Sequence, residues 1–124
     1  MNYTEITSYE IACKVLGTTP EEDLPYATPV TGKQIFLNAV AKIETFGKAV
    51  NMKDGKEWIP THSEDTYIPI FDLDGPSGFG FSFTYYGDWD TYTVVGARLV
   101  HRSRPIAAHA GRCLESTYKE MMVK

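Results

Sequence analysis

Three arginines near the start of the last predicted helix are the residues best suited to chemistry in this sequence. They are Arg98, Arg102 and Arg104, and His101 stands among them. Ser103 is a typical helix N-cap residue. Free backbone N–H groups at a helix N-terminus, together with the forked donors of arginine, are what an anion needs for binding. The cluster therefore predicts an anion site. The alternative is that these arginines pair with the acidic remainder of the chain or are solvated surface.

The net charge is distributed unevenly along the chain. Residues 1–96 carry 6 basic and 14 acidic side chains, net −8, whereas residues 97–124 carry 6 basic and 2 acidic, net +4. The total of −4 and the pI of about 5.3 disfavour binding of double-stranded nucleic acid. A single-stranded end on an aromatic platform stays open as a ligand.

An aromatic strand is predicted next to these arginines. Residues 79–85 alternate aromatic and small side chains, which is the two-residue repeat of a strand. Residues 92–101 are rich in β-branched side chains, so residues 79–101 are predicted to form an antiparallel hairpin. We expect its aromatic face to pack on the helices, because the opposite register would bury Arg98 at a cost of several kcal/mol unless it were paired.

The other face of this hairpin is the predicted binding surface. It has a floor of small residues and an aromatic rim, which suits a planar ligand, a nucleotide or the side chains of a partner protein. The candidate ligand-binding residues are Tyr86, Trp89, Tyr92, Arg98, Arg102 and Arg104. Alternatively, residues 56–71 or a second subunit cover this face.

A second candidate for chemistry is a pair of aspartates in the middle of the chain. Residues 68–75 read as an apolar strand that ends in Asp-x-Asp-Gly. This motif resembles the nucleophile loop of haloacid-dehalogenase-type phosphatases, and the resemblance implies Asp72 as nucleophile and Asp74 as proton carrier. Pro76 stands where that family has threonine, and the rest of the chain offers a hairpin and a helix instead of further parallel strands. We therefore expect a polar turn here.

The cysteines and histidines indicate neither a metal site nor a catalytic dyad. Cys13 and Cys113 lie far apart without metal-ligand spacing, so we expect two reduced, packed thiols. His62, His101 and His109 are expected to be solvent-exposed or hydrogen-bonded structural residues. We expect no cofactor.

Three helices are predicted to position these residues. The first covers residues 9–16 after the N-cap Ser8, and the second covers residues 32–51, where apolar positions recur at steps of three and four. The last begins after Ser103. Residues 18–29 are predicted to be a surface loop. The expected core positions are Ile11, Val15, Leu16, Ile35, Phe36, Val40, Ile43, Phe46, Val50, Ile106, Ala110, Cys113, Leu114, Thr117 and Met121.

These elements predict an α+β fold in one domain, residues 1–124. A further strand is predicted at residues 66–71, where Pro69 requires a sheet edge or a bulge. The predicted sheet is small and antiparallel, has about three strands and is covered on one face by helices. The predicted element order is α-α-β-β-β-α.

The composition is that of a water-soluble domain. With 124 residues and 43% hydrophobic side chains the chain can bury a core without disulfides or metals. No apolar run approaches the length of a membrane span, and the first residues lack the basic and apolar regions of a signal peptide. We expect a cytoplasmic protein that does not contact a membrane.

Several segments together resemble a family of small uncharacterised proteins encoded by gut bacteria and by their phages and prophages. The resemblance rests on residues 9–17, 58–60, 78–83, 95–99, 102–104 and 108–111. This family has no assigned activity. The resemblance implies a mobile-element setting, in which small proteins often bind host factors, structural partners or signalling molecules.

The sequence therefore favours a non-enzymatic binding protein. We predict that its aromatic and arginine surface engages a host or phage protein, or a small anionic, nucleotide-like ligand. One alternative is a structural subunit that forms homo-oligomers. The other is a phosphohydrolase that uses Asp72 and Asp74.

Overall fold

The computed structural model of the chain describes residues 2–61, 64–75, 78–87 and 97–123. Its helices are α1 (Tyr9–Leu16), α2 (Pro20–Asp23), α3 (Gly32–Val50), α4 (Arg104–Cys113) and α5 (Glu115–Met122), and its strands are β1 (Thr66–Gly75) and β2 (Gly78–Gly87). Short 3-10 turns lie at Tyr3–Glu5 and Ala97–Leu99. Helices cover a small antiparallel sheet, so the predicted α+β class is confirmed.

Side-chain caps fix where the first two predicted helices begin. The Ser8 hydroxyl accepts a hydrogen bond from the backbone N–H of Ile11 at the start of α1, at 3.2 Å. At the start of α3 the Thr31 hydroxyl accepts from the N–H of Gln34, whose side chain accepts from the N–H of Thr31 in return. These contacts satisfy donors that a helix N-terminus leaves unpaired. Gly17, with φ of 75°, ends α1.

One turn of helix interrupts the segment predicted as a loop. Thr19 caps α2, and Pro20 occupies its first turn, where a missing N–H costs nothing. Asp23 at the end of α2 accepts two hydrogen bonds of 2.7 Å, from the hydroxyls of Tyr9 in α1 and Thr45 in α3. This carboxylate therefore links three helices.

The described pairing joins β2 to the strand that precedes it. β2 pairs with β1, from Thr66 opposite Gly87 to Gly75 opposite Gly78. Of the partner strand predicted at residues 92–101, only residues 97–101 are described, and they do not pair with β2. Within the described residues the sheet has two strands instead of three, and the element order is α-α-α-β-β-α-α. Ala97–Leu99, predicted to lie in a hairpin strand, form a 3-10 turn. Residues 88–96 lie outside the described part of the chain.

Pro69 lies on the side of β1 that is an edge of the sheet within the described residues, which is one of the two places predicted for it. The backbone N–H and C=O of Tyr67 bond to His101, at 2.9 and 2.8 Å, and so face away from β2. Because these groups alternate in direction along an antiparallel strand, Pro69 also faces away from β2. Its missing N–H therefore removes no bond from the β1–β2 ladder.

Aromatic contacts join the sheet to the helices. Phe71 of β1 packs against Phe79, at 5.1 Å between ring centroids, and against Tyr118 of α5, at 4.6 Å. Phe81 meets Phe71 edge-on. The predicted packing of the aromatic face on the helices is confirmed for Phe79 and Phe81, which lie against the core.

Seven of the fifteen predicted core positions are buried, and seven more are half-buried. The largest fully buried side chains are Phe46, Ile6, Ile43, Ile106, His101, Val50 and Cys13. Phe36, predicted to be core, is 42% exposed. Ile11, Val15 and Leu16 are half-buried at the margin of the core, because α1 buries Tyr9, Ala12 and Cys13 instead.

The last predicted helix is divided in two. Leu114, with φ of −112° and ψ of 27°, separates α4 from α5. The predicted apolar stripe nevertheless continues across this break, since Leu114 and Thr117 are buried. No helix in the described part of the chain combines the length and apolar character that crossing a bilayer requires.

We predict that Gly111→Ala destabilises the fold. A Cβ at position 111 would lie 2.4 Å from Cδ1 of Phe81 and 2.9 Å from Cβ of Pro69. Either the sheet or α4 must move, at a cost of about 1–3 kcal/mol in the free energy of unfolding measured by urea denaturation. Gly32→Ala is the matched control, because no atom lies within 4 Å of its added Cβ. Equal stabilities of the two variants would contradict the close packing of α4 on the sheet.

Candidate functional site

A groove lies along the C-terminal half of α3. The residues of its α3 wall are Glu44, Gly47, Lys48 and Asn51. Steps of three and four place these residues on one helix face. Residues 57–60 form the opposite wall, and Arg98 and Val100 complete the groove, which has a volume of about 270 Å³. We call it the Trp58 groove.

A tight turn after α3 brings residues 57–60 back beside the helix. Lys53 and Lys56 exchange two backbone hydrogen bonds, of 2.9 and 3.0 Å. Asp54 and Gly55 between them have φ of 54° and 74°. Asp-Gly is the sequence that favours a turn with two positive φ angles. The chain therefore reverses within four residues of Met52.

The groove presents apolar surface to solvent. Ile59 is 70% exposed, although isoleucine is among the residues most often buried. The indole N–H of the half-buried Trp58 donates to the Glu64 carboxylate at 2.7 Å, which holds the ring in one orientation. The rim is therefore an apolar surface with a fixed aromatic ring.

Arg98 spans the groove to α3. Its guanidinium donates to the Glu44 carboxylate at 2.7 Å, with the two side chains 81% and 26% exposed. This hydrogen bond and charge raise the pKa of the Arg98 guanidinium. Arg98 therefore pairs with an acidic residue of the chain, which is the alternative to an anion site that the sequence left open.

Arg102 and Arg104 contact other parts of the fold. Arg102 donates from Nε to the carbonyl oxygen of Asn51, at 3.0 Å, and from Nη2 to that of Met52, at 3.4 Å. A cation here also interacts favourably with the negative end of the α3 dipole. The Arg104 guanidinium lies 5.3 Å from the centre of the Tyr67 ring. The three arginines thus face a carboxylate, a helix C-terminus and an aromatic ring.

The predicted aromatic rim falls mostly outside the described residues. Tyr86 lies in β2 opposite Tyr67. Trp89 and Tyr92, and the side chain of Tyr86, are outside the part of the chain that the structure describes. Their role in binding stays a prediction.

The Asp72 motif lies in an antiparallel hairpin. Asp72 is exposed, opposite Gly80, and β1 continues to Gly75 instead of turning at the aspartates. Asp74 is in β1, and its side chain lies outside the described residues. The phosphatase nucleophile loop requires a parallel sheet, and the described strands pair only in antiparallel fashion.

A buried polar pair behind the groove was not predicted from the sequence. The Asn51 amide nitrogen donates to the carbonyl of Gly47, at 2.8 Å, and lies 3.0 Å from Nδ1 of His101. The Asn51 oxygen accepts from the N–H of Arg102, at 2.9 Å. These bonds fix the amide orientation, so Nδ1 of His101 must accept and its proton must be on Nε2.

His101 is therefore held in its neutral form. Its Nε2 has no hydrogen-bond partner among the described residues, and the side chain is fully buried. Burial lowers the pKa of His101 from 6.5 to about 4. His101 thus belongs to the core instead of the predicted anion site.

His109 and Cys113 touch on α4, a contact that their four-residue spacing on a predicted helix could have indicated. The Cys113 sulfur lies 3.5 Å from Nε2 of His109, and that nitrogen also lies 2.7 Å from the carbonyl oxygen of Ile6, to which it donates. Burial raises the pKa of the Cys113 thiol. A protonated thiol beside an occupied imidazole N–H is a packing contact, not an activated nucleophile.

Comparison of the chain with protein-family models, with curated proteins and with solved structures found no match. The functional argument therefore depends on the geometry of the groove and its residues.

We predict that acid destabilises the protein through His101. Because the pKa of His101 is lowered in the folded state, the unfolded chain binds a proton first as the pH falls below about 6.5. The contribution of the neutral His101 to the free energy of unfolding is fully present above that pH. It declines by up to about 3 kcal/mol as the pH falls towards 4. Urea denaturation across this pH range measures the effect. His101→Gln should be less stable at neutral pH but lose less on acidification, and an unchanged pH slope would refute the assignment.

Proposed function

We propose that this protein is a non-enzymatic binding protein, associated with a phage or prophage, that engages a host or phage protein. The observation that carries the proposal is the Trp58 groove, where an exposed Ile59, an oriented Trp58 ring and an exposed Arg98 meet. Tryptophan and arginine are the side chains most enriched where protein partners bind tightly.

The shape of the groove favours a protein partner over a small molecule. Its volume of about 270 Å³ is just below the range of roughly 300–1,000 Å³ typical of small-molecule pockets. Its rim adds the exposed side chain of Ile59, which a flat or convex partner surface could cover. Burial of this apolar surface would drive association.

The Arg98–Glu44 pair gives the partner a charge preference. Exposed ion pairs contribute little to stability, because solvent screens them and two long side chains must be ordered. A partner carboxylate can therefore replace Glu44 on Arg98 at little cost to the fold. With Lys48 on the same wall, the groove suits a partner segment with an apolar anchor beside an acidic residue.

The predicted aromatic residues Tyr86, Trp89 and Tyr92 remain part of this proposal. Arg98 is the candidate ligand-binding residue that the groove shares with the predicted surface. The proposed partner surface therefore comprises the Trp58 groove and the predicted aromatic residues, and Arg98 belongs to both.

We predict that Ile59→Asp and Arg98→Glu each abolish capture of the partner. Affinity capture from a lysate of the source cells, quantified by mass spectrometry, is the measurement. Both side chains are exposed, so the melting temperature should change little. Val30→Asp is the matched control, because Val30 is 75% exposed and does not line the groove. An identical set of captured proteins for all three variants and the wild type would contradict the proposal.

The same variants separate a binding protein from an oligomer-forming subunit. Light scattering over a range of concentrations measures the mass of the wild type. If the mass rises with concentration and Ile59→Asp prevents the rise, then the groove is an interface between copies of this chain.

A further inference from the structure

We infer that a second cavity binds a small zwitterion with an apolar body, of the class of a free apolar α-amino acid. This cavity has a volume of about 400 Å³ and lies on a different face of the end of α3 from the Trp58 groove. Its size falls within the range of small-molecule sites, roughly 300–1,000 Å³. We call it the Arg102 cavity.

The apolar side chains that a ligand could contact in the Arg102 cavity are those of the half-buried Tyr3, Val15 and Met52. Tyr3 and Val15 pack against the core. Ile6 and Val50 also line the cavity but are almost completely buried, so they contribute little surface. A ligand body placed here meets side chains that packing already orders, so binding costs little additional conformational entropy.

Arg102 provides a preorganised anion-binding group at the edge of this cavity. Its Nε and one Nη2 donor are bonded to the carbonyls of Asn51 and Met52, which fix the plane of the guanidinium. Arginine has five N–H donors, so three are not used by these two bonds. A ligand carboxylate can accept from them without displacing either carbonyl.

Asp54 provides the opposite charge in the same cavity. The tight turn at residues 53–56 holds its backbone, and the side chain is exposed. No ion pair joins Asp54 to Arg102 in the described part of the chain, although both line the cavity. These two opposite charges, beside half-buried apolar side chains, match a ligand that carries an ammonium, a carboxylate and an apolar side chain.

The test is titration of the isotope-labelled full chain with L-phenylalanine, followed by amide NMR shifts. We expect saturable shifts at Ile6, Val15 and Val50. Two truncated analogues test the charges: 3-phenylpropionate lacks the ammonium, and phenethylamine lacks the carboxylate. Each should bind at least about tenfold more weakly than L-phenylalanine. Absence of saturable shifts with L-phenylalanine, or equal binding of the three compounds, would overturn the inference.

One variant tests whether Asp54 binds the ammonium group of the ligand. Asp54→Asn should weaken L-phenylalanine binding about tenfold, and asparagine tolerates the positive φ of this position. Lys53→Gln, in the same turn, is the control and should bind as the wild type does. Equal affinity of Asp54→Asn and Lys53→Gln would also overturn the inference. Ile59→Asp should bind L-phenylalanine normally, so the two proposed sites fail or succeed independently.

Discussion

The buried side chain of Asn51 is the interaction on which the arrangement of this fold depends. It closes the end of α3 by its bond to Gly47, orients the His101 ring and receives the N–H of Arg102. His101 in turn pairs its backbone with Tyr67 of β1. One amide therefore joins the long helix, the sheet and the segment that leads into α4. Each of its polar atoms is satisfied, which is the condition under which a buried amide stabilises a fold instead of destabilising it.

The helices α1, α3 and the start of α4 were predictable because their determinants are local. Ser8 and Ser103 cap α1 and α4 as predicted, and the apolar spacing identifies α3, which Thr31 caps. The short α2 and the break between α4 and α5 were not predicted. The strand pairing was not predictable from the same signals. Alternation identifies β2 as a strand, but it does not select a partner. The positive φ of Gly78, at 85°, marks the turn that pairs β2 with the strand before it.

The candidate site was predictable only in part, because its contacts join residues that are far apart in sequence. The bond between Arg98 and Glu44 spans 54 positions, and that between Arg102 and Asn51 spans 51. Their geometry depends on the packed core. Glu44 and Lys48 read as the solvated side of a helix until residues 57–60 are placed opposite them. The tight Asp-Gly turn that does so was a local signal, and it could have been interpreted as a chain reversal.

The last turn of α3 borders both cavities, because Gly47 and Lys48 line the Trp58 groove and Ala49 and Val50 line the Arg102 cavity. Asn51 lines the Trp58 groove, and Met52, Asp54 and Arg102 line the other cavity, so few residues separate the two. Any ligand that moves this shared wall changes the affinity of the second site, and thermodynamic linkage requires the effect to be equal in both directions. The short segment from Ala49 to Met52, whose residues line one cavity or the other, is therefore the part of the chain through which a movement at one cavity would reach the other.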